Sequence, residues 1–179
     1  MAERDVTEAY LRIIIRRYAD AVNMHEQRSI AELRELVTAG RPSLVKLAAE
    51  HDSVESAFSF VCSLDTLHVS LPVSFWLTVD EMLQLSAGDP LDKARLLCGV
   101  LRQQKRPAWL RVVLLESGLQ HAVVWLDEKP VRVFDPVHSL EWSADSIDAA
   151  MQHYLGPHKI KKSVYEFSPD EYRELGSSG

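Results

Sequence analysis

Two side chains in the second half of the sequence could share acid–base chemistry. His121 opens the segment HAVVWL, and Asp135 closes the segment VRVFD directly before Pro136. A carboxylate that fixes the tautomer of an imidazole allows that imidazole to take a proton from a nucleophile. Histidine at a strand start and aspartate before proline also occur for turn-forming reasons, so the pair alone does not separate a catalytic couple from two turn residues.

Whether these side chains meet depends on the loop between two predicted strands. The segments WLRVVLLE, HAVVWL and VRVFD are short, β-branched and aromatic, and they predict an antiparallel meander. An odd-numbered loop after the second strand would place His121 directly opposite Asp135, whereas an even-numbered loop would turn Asp135 to the other face. Pro130 cannot donate a ladder hydrogen bond, which favours an odd-numbered loop from Leu126 to Pro130.

A helix precedes this meander in the segment GDPLDKARLLCGVLRQQ, from Gly88 to Gln104. Asp89 is a good N-cap, and Pro90 suits the first helical position, where its missing N–H costs nothing. Asp92 lies where the positive end of the helix dipole favours a carboxylate. The residues spaced for a buried face are Leu91, Ala94, Leu97, Cys98 and Leu101.

The order of these three segments resembles the transglutaminase-like superfamily of papain-like folds. Its pattern is a helix start of the form G-x-C-x-D-x-A-x-L-L, then a strand beginning HA, then a strand ending DP. Here GDPLDKARLL, HAVVWL and FDP correspond to those segments, and the resemblance covers roughly residues 74–137. It implies a nucleophilic cysteine at the helix N-terminus, where the dipole lowers the thiol pKa. It also implies that His121 and Asp135 are the family's catalytic dyad.

The sequence departs from the family pattern at the nucleophile. Pro90 occupies the position of the family cysteine, and Val123 stands where many active members have tryptophan. Cys98 lies about 12 Å further along the helix axis, on the apolar face, where burial raises a thiol pKa. Cys62 shares an apolar face with Phe58 and is interpreted as a buried small hydrophobe. It reaches the dyad only if the irregular link after it folds back.

The resemblance and its departure together lead to one favoured function and two alternatives. The favoured one is a catalytically inactive transglutaminase-like domain that binds a peptide or protein, or acts as a scaffold. Its cleft would lie between the helix tip and the His121 strand, lined by Asp89, Pro90, Asp92 and Trp109, with acidic charge favouring a basic peptide. The first alternative is an active cysteine-dependent peptidase, amidase or acyl transferase that uses Cys62 or Cys98. The second is a helical adaptor whose sheet merely resembles the family, in which His121 and Asp135 lie far apart or face opposite ways.

The remaining elements predict an α+β fold with a helical N-terminal portion packed on the papain-like core. Residues 1–64 form the helical portion, residues 65–175 the core, and residues 176–179 a flexible tail or cloning remnant. Within the first portion, Ser29 with Glu32 predicts a capped helix ending at Gly40. Further helices are predicted at 53–64, 78–88, 143–156 and 168–175, with Ser53, Thr78, Ser143 and Ser168 as their N-terminal caps. The segment KSVYEF is predicted to be an edge strand.

Composition limits the classes of partner and cofactor. The chain has 179 residues, 46% of them hydrophobic, and a net charge of −6, so we expect a globular domain that does not bind nucleic acid. It has no apolar run of about 20 residues and no signal-peptide pattern, so neither membrane insertion nor secretion is expected. Its two cysteines make no disulfide framework, which favours the cytoplasm. The histidines form no H-x-x-x-H pair, so no metal or other cofactor is predicted. The oligomeric state is left open.

Overall fold

The computed structural model of this chain describes residues 3–24, 41–67 and 76–175. The predicted helix at residues 29–40 therefore lies outside the described residues. The helices are α1 (Glu3–Met24), α2 (Pro42–Glu50), α3 (Val54–Ser63), α4 (Val79–Leu85), α5 (Pro90–Gln103) and α6 (Ile147–Gln152). The strands are β1 (Asp65–Thr66), β2 (Ala87–Gly88), β3 (Ala108–Leu115), β4 (Gln120–Leu126), β5 (Val131–Asp135), β6 (Leu140–Ala144), β7 (Ile160–Phe167) and β8 (Tyr172–Glu174).

Side-chain hydrogen bonds cap the N-terminal ends of α3, α4 and α5. The Ser53 hydroxyl accepts the N–H of Ser56 at 3.1 Å at the start of α3. Thr78 and Glu81 form a reciprocal capping box on α4. The Asp89 carboxylate accepts the N–H of Asp92 at 2.7 Å, and Pro90 takes the first position of α5. These starts confirm the predicted caps.

The sheet has six strands in the order β6-β5-β4-β3-β7-β8, and every neighbouring pair is antiparallel. Both of its faces are covered. Since side chains alternate along a strand, Leu110 and Val112 of β3 join one core while Trp109 and Val113 join another. Helix α5 packs against β3 and β4 on the first face, and α6 packs on the second.

Helix α5 lies at the centre of the larger core, because its residues from Asp92 to Leu101 are all buried. It packs against α2 and α3, so the N-terminal helices and the sheet share one core. Val6, Leu44 and Val61 belong to the same apolar cluster as Phe134 and Phe167. The helical portion is therefore packed on the sheet as expected, while a domain boundary after residue 64 stays a prediction.

The antiparallel meander has one strand more than the three that were predicted. Residues 140–144 form strand β6, which pairs with β5, although a helix was predicted to begin at Ser143. The helix begins later, with Ser146 as its cap accepting the N–H of Ala149 at 3.2 Å. Ser143 pairs instead with Arg132 of β5. The pairing across the sheet edge outweighs the local cap signal at Ser143.

Two predictions at the C-terminal end were wrong. The segment KSVYEF lies in β7, between β3 and β8, and so is not an edge strand. The predicted helix at 168–175 is a turn followed by strand β8. The Ser168 hydroxyl does accept the N–H groups of Asp170 and Glu171, at 3.3 and 3.1 Å. It thereby closes a turn that returns the chain antiparallel to β7, because a serine cap serves turns as well as helices.

Among the described residues, no helix combines the length and the apolar composition that crossing a membrane requires.

Candidate functional site

The register of β4 and β5 brings the two candidate residues onto one face of the sheet. Leu126 pairs with Arg132, so the loop between these β4–β5 partners spans residues 127–131, of which Val131 already belongs to β5 through its pairing with β6. This loop is odd-numbered, as predicted, but begins one residue later than expected. His121 and Asp135 therefore share a face and lie diagonally across from each other, not directly opposite. His121 pairs with Val113 of β3, whose side chain belongs to the core on the α6 side.

The imidazole and the carboxylate are in direct contact. The Nε2 atom of His121 lies 2.8 Å from Oδ2 of Asp135. Both side chains are buried, with 4% of His121 and 0% of Asp135 exposed. The engagement of Nε2 leaves Nδ1 as the ring nitrogen that could act on another group. The predicted contact is thus present, and a catalytic role for the couple stays a prediction.

Asp135 has more partners than His121 alone. Its Oδ2 atom also lies 2.8 Å from Nδ1 of His138 and accepts a hydrogen bond from the Tyr154 hydroxyl. Its Oδ1 atom accepts the backbone N–H groups of Val137 and His138 at 2.9 and 3.1 Å. Burial by itself would raise the pKa of Asp135, but its interactions with His121, Tyr154 and His138 hold that pKa well below its usual range.

Sequence reasoning did not connect His138 and Tyr154 with the couple. His138 follows Asp135 by three positions in the β5–β6 turn, so the spacing D-x-x-H was a usable local signal. Tyr154 lies just after α6 and reaches the carboxylate only through the fold. Burial and the nearby Asp135 carboxylate raise the pKa of Tyr154, which remains a hydrogen-bond donor. The site is therefore a cluster in which three side chains, those of His121, His138 and Tyr154, meet at one carboxylate oxygen of Asp135.

Cys62 lies near this cluster and is half-buried, not fully buried as expected. Its thiol is hydrogen-bonded to Ser139 in the β5–β6 turn. Burial raises the pKa of Cys62, and the charge of Asp135 raises it further, while Ser139 and Lys93 act in the opposite direction. The end of α3 thus brings a thiol close to the carboxylate, in a setting that favours the protonated form.

Lys93 is a buried cation that sequence reasoning missed. Its Nζ atom donates to the backbone oxygen of Leu64 at 2.9 Å and to the Thr66 hydroxyl at 3.2 Å. Burial lowers the pKa of Lys93, and the negative charges of Asp135 and Asp65 act in the opposite direction. Lys93 thereby links the first turn of α5 to the segment after α3, and its ammonium group interacts electrostatically with Asp135.

The sequence predicted that Asp92 lines a cleft, but the structure buries its side chain. Its side chain is fully buried and accepts the N–H of Leu77 at 3.1 Å and a hydrogen bond from Arg95 at 3.0 Å. Arg95 also donates to the backbone oxygen of Leu77 at 2.8 Å. Burial, reinforced by repulsion from Asp89, raises the pKa of Asp92 to about 8. Asp92 therefore anchors the segment before α4, while Asp89 and Pro90 remain partly exposed at the helix tip.

Trp109 does not line the predicted cleft either. Its side chain is buried, and its ring stacks on Trp125 at a centroid distance of 5.9 Å. The Arg173 guanidinium lies 4.1 Å from the ring centroid. Because Trp109 alternates with core residues that face α5, it packs on the α6 side of the sheet. Cys98, by contrast, is where the sequence predicted it: it is fully buried, and burial raises its pKa to about 12.

Solved structures of LapG from Legionella pneumophila share this fold. The EGTA-treated form is 15% identical, with a TM-score of 0.53 over 85% of this chain and 88% of LapG. The calcium-bound form is 16% identical, with a TM-score of 0.51 over 83% of this chain and 77% of LapG. No family model and no curated protein matches the chain. At this identity the likeness concerns the fold alone, which is α+β with a papain-like core.

Proposed function

We propose that this chain is a catalytically inactive papain-like domain that acts by binding a peptide or protein partner, or as a scaffold. The observation that carries the proposal is Pro90 at the first position of α5, where the transglutaminase-like pattern has its cysteine. Asp89 beside it is used as the helix cap. A pyrrolidine ring has no nucleophilic atom, so the helix N-terminus has no thiol to activate.

The state of the two thiols supports inactivity. Cys98 is fully buried, and its pKa is raised to about 12, so it stays a thiol at neutral pH. Cys62 is more accessible, but its pKa is raised as well. A nucleophilic cysteine needs the thiolate, which a lowered pKa supplies. Both cysteines are free, which is compatible with the cytoplasmic location that we propose.

The partly exposed tip of α5 is the proposed contact for a partner. Asp89 and Pro90 are half-buried there, and the chain carries a net charge of −6. A basic peptide segment complements that charge. The His121–Asp135 couple serves as a structural element in this proposal, because its hydrogen bonds join β4 to the β5–β6 turn and to the segment after α6.

Thiol labelling tests the inactivity. We expect iodoacetamide at pH 7 to modify Cys62 no faster than free cysteine and to leave Cys98 unmodified in the folded chain. Single Cys62→Ala and Cys98→Ala variants assign each rate. His121→Ala should leave the Cys62 rate unchanged, because no imidazole activates that thiol. Rapid, stoichiometric labelling of Cys62 that His121→Ala slows would refute inactivity.

Peptide binding tests the recognition part separately. Labelled peptides of matched length, basic or acidic, are titrated into the protein and followed by fluorescence anisotropy. We expect basic peptides to bind more tightly. Asp89→Asn, which keeps a capping side chain, should weaken them a few-fold, because it removes the charge of a partly exposed carboxylate. Asp127→Asn, in the exposed β4–β5 loop, is the matched control and should have no effect. Equal binding of both peptide classes contradicts the proposal.

The alternative is a cysteine-dependent peptidase, amidase or acyl transferase that uses Cys62. The observation in its favour is that Cys62 is partly accessible and lies close enough to Asp135 for that carboxylate to shift its pKa. Asp135 in turn contacts His121. Cys98 has no such support, since it is fully buried. The alternative predicts the opposite labelling result: fast alkylation of Cys62 that depends on His121.

A further inference from the structure

Three side chains of the Asp135 cluster have the donor set of a transition-metal site. The ligand atoms that His121, Asp135 and His138 offer all lie within 4.8 Å of one another. Two imidazole nitrogens and one carboxylate oxygen are ligands that Zn²⁺ prefers. We propose that these three side chains bind a Zn²⁺ ion. This site is independent of the missing nucleophile and goes beyond the binding function proposed above.

The distances require little rearrangement. Zinc–ligand bonds of about 2.0–2.1 Å in a tetrahedral site place neighbouring ligand atoms roughly 3.3 Å apart. Oδ2 of Asp135 lies 2.8 Å from Nε2 of His121 and 2.8 Å from Nδ1 of His138. Each pair therefore opens by about half an ångström when the ion replaces the shared protons. Rotations of the two imidazoles supply this movement without a change in the strands.

The surroundings of Asp135 orient its carboxylate for this role. The backbone N–H groups of Val137 and His138 hold Oδ1, which directs Oδ2 toward both imidazoles. The Tyr154 hydroxyl donates to the same carboxylate and lies 3.3 Å from Nδ1 of His138. Hydrogen bonds of this kind fix the orientation of metal ligands and raise their affinity. We assign Tyr154 this supporting role and do not count it as a ligand.

The exposure of the cluster leaves one side open. The side chains of His121 and Asp135 are 4% and 0% exposed, whereas His138 is 29% exposed. An ion could enter past His138, and its fourth position would face the solvent, as in zinc sites with three protein ligands. His121 lies on β4 and Asp135 ends β5, so sheet pairing holds two of the ligands. Bound zinc would tie the β5–β6 turn to β4.

Calorimetric titration of the full chain, freed of metal by a chelator, tests the site. We expect one Zn²⁺ per chain and no binding of Ca²⁺, because Ca²⁺ requires six to eight oxygen ligands and two of the three ligands here are imidazole nitrogens. His138→Ala should weaken zinc binding by at least about tenfold. His158→Ala, an exposed histidine outside the cluster, is the matched control and should bind as the wild type does. His138→Gln serves as a second variant if circular dichroism shows that His138→Ala does not fold.

Cobalt gives an independent readout of the geometry. Co²⁺ in a tetrahedral site with nitrogen and oxygen ligands absorbs visible light far more strongly than hexa-aqua Co²⁺ does. We expect that absorption in the wild type and in His158→Ala, and its loss in His138→Ala. Zinc binding that is equally tight in His138→Ala, or absent from the wild type, would overturn the proposal and leave the cluster as a hydrogen-bond network. Neither result bears on thiol reactivity, so the inactivity proposal is judged separately.

Discussion

The two buried carboxylates near α5 differ in their partners. Asp135 accepts hydrogen bonds from two backbone amides and from Tyr154, and it contacts two imidazoles. Its pKa falls well below its usual range. Asp92 has the guanidinium of Arg95 and one backbone amide, and it is repelled by Asp89. Its pKa therefore rises to about 8 from an ordinary value of 3.8. A buried carboxylate stays charged only when enough hydrogen-bond donors surround it to offset the cost of burial.

The raised pKa of Asp92 predicts a pH dependence of stability. Between the unfolded value of 3.8 and the folded value of about 8, the folded state binds more protons at this group than the unfolded state does. Stability contributed by Asp92 is therefore full below about pH 4 and is lost as the pH rises through about 8, at up to about 1.4 kcal/mol per pH unit. We expect Asp92→Asn to remove most of this slope, because the amide cannot ionise.

Urea unfolding at pH 5 and pH 8 measures this effect. The amide side chain that Asp92→Asn introduces keeps an acceptor oxygen for Arg95 and the N–H of Leu77, so the substitution preserves their hydrogen bonds. Asp127→Asn, in an exposed loop, should retain the wild-type difference between the two pH values. An unchanged difference in Asp92→Asn would show that Asp92 is ionised throughout the range, with Arg95 as a full counter-charge.

The packing of α5 against α2 depends on the absence of a side chain. A Cβ atom added to Gly99 would lie 3.1 and 3.2 Å from the two methyl carbons of Leu44, which is fully buried. Glycine inside a helix otherwise costs about 1 kcal/mol relative to alanine. The close approach of the two helices therefore outweighs helix propensity at this position.

A double-mutant cycle on Gly99 and Leu44 tests that contact. Gly99→Ala alone should destabilise the fold by about 1 kcal/mol, because overpacking in the core exceeds the propensity gain. Leu44→Ala alone should cost about 2–5 kcal/mol through the cavity that it leaves. In the Leu44→Ala background, Gly99→Ala should instead stabilise, since the new methyl group has room. Equal effects of Gly99→Ala in both backgrounds, measured by urea unfolding, would mean that the helices do not restrict this position.

One buried ion pair connects distant parts of the whole molecule. Arg111 of β3 donates to Glu166 of β7 at 2.9 and 2.7 Å, and both side chains are nearly inaccessible. Arg111 also donates to Asp148 of α6 at 2.7 Å, although Asp148 is 81% exposed. Glu166 also accepts a hydrogen bond from Arg173 at 3.3 Å. The pair holds the middle of the sheet together and reaches the helix that covers its second face.

Removing one buried partner should cost far more than removing the exposed one. Glu166→Gln leaves the buried charge of Arg111 with only the solvent-exposed Asp148 as its counter-charge, and we expect a loss of about 3–5 kcal/mol in the free energy of unfolding. Asp148→Asn, the matched control, should cost no more than about 1 kcal/mol, because its contact is exposed to solvent. Comparable losses in the two variants, measured by urea unfolding, would show that α6 and not the buried pair carries the connection.

Local features of the sequence were sufficient for several of these elements. The caps at Ser53, Thr78 and Asp89 act within one helical turn, so a few adjacent residues specify them. The apolar face of α5 and the burial of Cys98 follow from helical spacing. The shared face of His121 and Asp135 follows from an odd-numbered loop, even though that loop begins one residue later than predicted.

Pairing partners decided the elements that the sequence misassigned. Residues 140–144 and 172–174 are short, and only β5 and β7 beside them make them strands. Strand formation depends on neighbours that lie far away in sequence, whereas capping signals depend on neighbours within a turn. This difference explains why serine caps at Ser143 and Ser168 predicted helices where the chain forms a strand and a turn.

The sequence by itself determined the starts of α3, α4 and α5, the proline at the tip of α5, and the odd-numbered loop that puts His121 and Asp135 on one face of the sheet. Tertiary structure alone decided what surrounds that carboxylate: it brought His138 from a turn, Tyr154 from beyond α6 and the thiol of Cys62 from α3 to the same end of the sheet. The physical reason is that backbone periodicity fixes directions within one element, while contacts between elements form only when the whole core packs.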